Sequence, residues 1–152
     1  MYSKEQASVL RQAFWTTFGQ YIAPQLSADG LKVNWVNYKT GIKHVSFRMI
    51  AENNYAETAI EITHADEGIQ ELFFEQFKEF KTLLENTLHE EWQWVLHAHV
   101  NDKAVSRISK QLSRVSVYNR DDWPALISFF KPRIIALDEF WSTAKYSFEA
   151  LQ

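Results

Sequence analysis

Apolar residues recur along this chain in two rhythms, and the changes between them divide it into helices and strands. From Trp123 to Leu151 the steps alternate between four and three, through Ile127, Phe130, Ile134, Leu137, Trp141, Ala144 and Phe148. That spacing draws one stripe along a helix. Asp121 and Asp122 bring a capping oxygen and negative charge to its positive end, and Pro124 sits in the first turn, where its missing N–H costs nothing. Pro132 clashes with the carbonyl four residues back, yet the stripe keeps its phase across it. One kinked helix or two shorter ones are predicted.

Residues 66–88 carry a second stripe (Ile69, Phe73, Phe77, Phe80, Leu84, Leu88), preceded by Thr63-His64-Ala65-Asp66, which resembles a capping box. Residues 3–22 carry a third (Ala7, Leu10, Phe14, Phe18, Tyr21), ended by Pro24. Trp15 lies off that stripe and either covers a flank of the core or meets a partner.

Between the helices the period falls to two. Val45, Phe47, Met49 and Ala51 alternate with polar residues, and after Asn53-Asn54 so do Ala56, Thr58, Ile60 and Ile62. This predicts an antiparallel hairpin whose two-residue turn pairs Phe47 with Ile60 and Val45 with Ile62 on the buried face. Trp92, Trp94, Leu96, Ala98 and Val100 alternate with Gln93, Val95, His97 and His99, a third strand turning at Asn101-Asp102-Lys103. Residues 104–118 fit a helix or broken strands; strand is preferred because the preceding edge wants a partner. Trp92 and Trp94 should join Val45, Phe47, Ile60 and Ile62 on the sheet's buried side, facing Phe73, Phe77, Ile134 and Trp141. The expected fold class is α+β, a single domain over residues 1–152. An antiparallel sheet of about four strands carries long amphipathic helices, in the order helix, two strands, helix, two strands, long helix.

Residues 23–42 form a long connection, and Trp35-Val36-Asn37-Tyr38-Lys39-Thr40-Gly41 is its densest mix of aromatic and hydrogen-bonding side chains. Connections of this length are uncommon unless functional or locally structured. The glycine pattern of a P-loop is absent.

Composition sharpens this picture at a few points. Aromatic residues make up 15% of the chain, so large rings dominate the core. No cysteine is present, which removes disulfides and thiolate metal sites. A net charge of −3 gives no general pull toward nucleic acid or anionic lipid. The first helix is polar at its start and no apolar run is long enough to span a membrane, so a cytoplasmic protein without membrane contact is expected.

Three groups of side chains are candidate sites. Arg48 falls between Glu57 and Glu61 on the outer face of the hairpin. That trio is either a solvated charge cluster or a site where Arg48 meets an anion or the carboxylates hold a cation. His97 and His99 share a strand face and could hold zinc if His44, His64, His89 or a carboxylate completed the site. Lys103, Arg107, Lys110, Arg114 and Arg120 form a basic stretch with no acidic residue, which could rest on a phosphate backbone or balance the acidic second helix. Glu61-Ile62-Thr63 stands where a nuclease would carry Glu-x-Lys, and no hydrolase elbow, zinc-protease or dinucleotide motif occurs. Neither a catalytic role nor a cofactor is therefore expected. An interaction or accessory module comes first, then a nucleic-acid-binding domain using the basic stretch, then a metal-dependent hydrolase using Glu57, Glu61 and nearby histidine.

Phe14-Trp15-x-x-Phe18, Trp35, Trp92-x-Trp94, Arg107-Ile108, Asp122-Trp123-Pro124 and Phe140-Trp141 together resemble a bacterial family known as the domain-of-unknown-function family numbered 4268. The resemblance implies a domain that in longer members follows a nuclease-like one, hence an accessory role in defence or restriction systems. No such preceding domain is expected on this chain. A final expectation concerns the last helix, whose end should project beyond the sheet. Trp141, Ala144, Phe148 and Leu151 would then form a homodimer interface, unless the N-terminal helix folds over them.

Overall fold

The computed structural model describes residues 2–152. Helix α1 (Lys4–Ile22) leads into a hairpin of β1 (Val45–Ala51) and β2 (Tyr55–Ile62); α2 (Glu67–Glu79) and α3 (Lys81–Leu88) follow. A second hairpin, β3 (Gln93–Val100) and β4 (Lys103–Ser113), precedes a short 3-10 turn and the long α4 (Trp123–Glu149). The strands form one antiparallel sheet in the order β1-β2-β4-β3, so the expected α+β class and element order hold. Phe47 pairs with Ile60 and Val45 with Ile62, the register that the two-residue turn demands. Asn54 takes a φ of 77°, a conformation asparagine tolerates better than most residues. The ambiguous segment is strand β4, and it lies between β2 and β3, which leaves β3 at an edge.

All the helices lie on one side of the sheet. Phe47 meets Trp141 edge-on at 5.4 Å, and Phe77 stacks on Phe140 and Trp141 at 6.4 and 6.0 Å. At the far end of α4, Phe14 and Phe18 of α1 pack on Phe130 at 6.2 and 6.0 Å. Trp15, half-buried 5.2 Å from Phe130, covers the flank of this cluster. Helix α1 starts on a capping box: Ser3 Oγ accepts from the Gln6 N–H and Gln6 Oε1 from the Ser3 N–H.

The structure corrects five expectations. The single helix over 66–88 is broken at Phe80, whose N–H donates to the Phe77 carbonyl three residues back and tightens the turn. The cap of α2 is Asp66, which accepts from the Ile69 N–H at 3.1 Å, instead of a box begun at Thr63. Ile22 is buried in place of Tyr21, which is exposed. Helix α4 does not project: Phe148 is fully buried beneath Phe73, Phe77 and Phe80 at 6.0, 4.4 and 6.3 Å. The corner between α2 and α3 covers the face expected to dimerise, and Trp141 and Ala144 are buried with it. Finally, β3 does not alternate strictly. A bulge between Val95 and Ala98, with His97 at a φ of 53°, turns Val95, Ala98 and Val100 to the side away from the helices and His99 to the side of Trp94. Trp94 itself is only half-buried, against Phe74 at 5.7 Å.

Candidate functional site

The face of the sheet away from the helices holds a buried ionic cluster. Arg107 of β4 sits directly opposite Glu61 of β2 in the register. Its Nε donates to Glu61 Oε2 at 3.0 Å and its Nη2 to Glu57 Oε1 in a close contact. Gln111 Nε2 donates to Glu57 Oε2 at 3.3 Å, and Arg48 Nη1 lies 3.6 Å from Glu61 Oε1. Burial works to lower the Arg107 pKa, but the hydrogen bond and charge of Glu57, with those of Glu61, outweigh it and raise the pKa. Both carboxylates are only 6% exposed, so the solvated Arg48 trio expected from the hairpin alone is corrected. The reason is position: β2 is an inner strand, and the side chains of β1 and β4 close over its glutamates. The guanidinium of Arg107 thus already occupies an oxygen of each carboxylate.

The other predicted residues are dispersed. Lys103 is exposed at the tip of the second hairpin, and Arg107 belongs to the ionic cluster. Lys110 lies opposite Thr58, on the side of the sheet that faces the helices. Arg114 adopts a φ of 63° and donates its N–H to Asn54 O, and Arg120 stacks over Trp123 at 4.5 Å. The five cations of the basic stretch therefore present no common surface. His97 Nε2 is 3.0 Å from the Glu67 carbonyl oxygen, which ties the bulge to the start of α2, while His99 is exposed. Among the described residues, no three His, Asp or Glu side chains stand where they could hold a metal ion. His44 and His64 do meet, with rings 4.5 Å apart; burial, His64 and Lys43 lower the His44 pKa.

The long connection between α1 and β1 is held by α4 through a residue the sequence reading passed over. Asp138, 5% exposed, accepts from the Tyr38 hydroxyl at 2.5 Å and from the Ala28 N–H at 2.7 Å. Burial first, and then Asp138, push the Tyr38 pKa far above its usual value, so the phenol stays protonated as donor. Trp141 Nε1 donates to Thr40 O and Trp35 Nε1 to Gln25 O, at 2.7 and 2.9 Å. A cleft of about 690 Å³ opens between this loop and α4. A signal for Asp138 existed: it stands four after Ile134 and three before Trp141, an acid at a position of the apolar stripe.

A family model described as Domain of unknown function (DUF4268) matches residues 10–145. The chain belongs to this family. No curated protein and no solved structure matches it. The DUF4268 match runs from within α1 to Lys145, so the sheet, the loop and most of α4 lie inside it. No helix among the described residues is long and apolar enough to cross a membrane.

One ion pair of the DUF4268 fold gives a pH dependence. Arg133 of α4 donates from Nε and Nη2 to the two oxygens of Glu90, at 2.9 Å each, and Trp92 Nε1 donates to the same carboxylate at 2.7 Å. Burial works against the Glu90 anion, but the hydrogen bonds of Arg133 and Trp92 and the charges of Arg133 and Lys110 prevail and lower its pKa. A carboxylate depressed on folding adds stability above its unfolded pKa, and that stability is lost as pH falls through the folded value. Urea midpoints taken from about pH 7 down to pH 3 should fall more steeply in the native chain than in Glu90→Gln. Parallel curves would show that Glu90 does not contribute to the acid limb.

Proposed function

We propose that this domain is a non-enzymatic interaction module that associates through the edge strand β3, as the accessory part of a defence or restriction-type system. The system is suggested by the family resemblance; the contact surface is suggested by one observation. Strand β3 (Gln93–Val100) contains no Lys, Arg, Asp, Glu or Pro, and Val95, Leu96 and Val100 are each 37% exposed along it. Sheet edges are ordinarily blunted by charge or proline, because unpaired N–H and C=O groups recruit another strand. Beside that edge, the half-buried Ala98 lies on the helix-free face, backed by the buried Val105. The engaged state of Glu57 and Glu61 favours recognition over hydrolysis.

The partner best suited to a neutral, apolar edge is a second copy, since two such strands meet across a twofold axis without charge repulsion. Sedimentation equilibrium at micromolar concentration should give a homodimer. Val95→Lys with Val100→Lys should raise the dissociation constant by at least about tenfold, because lysines facing one another across the axis repel. The melting temperature of the diluted chain should change little. A monomeric native chain, or a dimer indifferent to the two lysines, would overturn the proposal.

A further inference from the structure

We infer that the cleft between the 27–39 loop and α4 is a binding site for a small phosphorylated organic molecule, held by Lys32, Lys39 and Lys145. Lys32 and Lys39 come from the loop and Lys145 from α4, so the fold brings together three cations far apart in the chain. None of them is in an ion pair among the described residues, although Arg11, Arg48, Arg107 and Arg133 each have a carboxylate partner. The buried acid that lines the same cleft, Asp138, has both oxygens engaged, by Tyr38 and the Ala28 N–H. Three lysines against two acids, Asp29 and Asp138, leave the lining with an excess of positive charge, and an anion between the lysines relieves their repulsion.

The site is preformed. Ser27 Oγ accepts from the Leu31 N–H, the Ser27 N–H donates to Leu31 O, and Asn34 Oδ1 accepts from the Asn37 N–H, at 3.1, 2.8 and 3.1 Å. With Ala28, Tyr38 and Thr40 also tied to α4, the loop has little entropy left to lose on binding. Asn34, which lines the cleft, accepts through Oδ1 and so keeps its NH₂ as a donor. The lysine ammoniums suit phosphate as compact point charges, and no arginine lines the cleft to clamp a planar carboxylate in a bidentate fork. Leu31, 63% exposed, and Val33 border the same space and offer an apolar wall for the organic part. About 690 Å³ lies within the range of small-ligand clefts and well beyond the needs of a single inorganic ion. Asp29 also borders the cleft and offsets one of the three charges.

Inorganic pyrophosphate, titrated calorimetrically into the full chain at low ionic strength, is the direct probe. Saturable one-to-one binding is expected, weakened about tenfold or more by Lys145→Gln or Lys39→Gln and strengthened severalfold by Asp29→Asn. Lys131→Gln, which removes a charge from α4 where Lys131 lies over Tyr21, should leave the affinity unchanged. All these side chains are at least partly solvent-accessible, so the variants should fold, and their melting curves verify it. Absence of binding, an equal loss in Lys131→Gln, or a preference for citrate over pyrophosphate would each overturn the phosphate assignment.

Discussion

Replacing Arg107 with Ala should cost about 3–5 kcal/mol of folding stability, among the largest effects of any single substitution in this chain. The guanidinium is the shared partner of Glu57 and Glu61, both 6% exposed. Its removal strands two like charges on an inner strand, where each keeps its desolvation penalty and the pair repels. Arg48 is a poor substitute, at 3.6 Å from one oxygen and largely exposed. The charge mechanism makes a further demand. Adding Glu57→Gln and Glu61→Gln to Arg107→Ala should recover most of the loss, since a neutral cluster has no uncompensated ion. Urea denaturation of the native chain, the single variant and the triple variant forms the test. A single-variant loss below about 1 kcal/mol would place the cluster in effective contact with water. A triple variant no better than the single one would point to packing of the arginine stem instead.

Phe77→Ala should cost a similar amount, about 3–5 kcal/mol, for a different reason. Phe77 is fully buried and touches Phe140, Trp141 and Phe148, so its ring joins α2 to the last three turns of α4. Truncation leaves a cavity walled by other rings, which cannot collapse into it without leaving their rotamers. Phe80→Ala, at a half-buried position of the same helix pair, should cost clearly less. Equal losses at the two positions would show that burial does not set the cost. The Phe77 variant should also expose Phe148, so raised binding of an apolar dye would accompany the loss of stability.

How far these properties could be read from the residues depends on how local their causes are. The hairpin of β1 and β2, its register and the positions of α1 and α4 follow from periodicity and turn chemistry, which act over a few residues. Phe47 meets Ile60 because two asparagines permit only a two-residue loop. The same rules place Phe77 and Trp141 in the core and carry α4 through Pro132.

Where a property depends on which elements become neighbours, the residues underdetermined it. Glu57 and Glu61 read as a solvated face because alternation gives the side of a strand, not its rank in the sheet. Their burial came from insertion of β4 between β2 and β3, with Arg107 opposite Glu61. Phe148 read as uncovered because helix length says nothing about what folds back; the break at Phe80 brings the cover. Arg107 and Lys110 are close in sequence yet lie on opposite sides of β4, so a run of charge in the chain was no patch on the surface. The lysines of the cleft show the converse: Lys32 and Lys145 become neighbours only because Asp138 holds the loop against α4. Local sequence determined the elements and their apolar faces, since backbone preference and side-chain period act within a few residues. The tertiary structure decided which charges are buried, paired or gathered, since electrostatic and packing energies depend on distances that chain order does not encode.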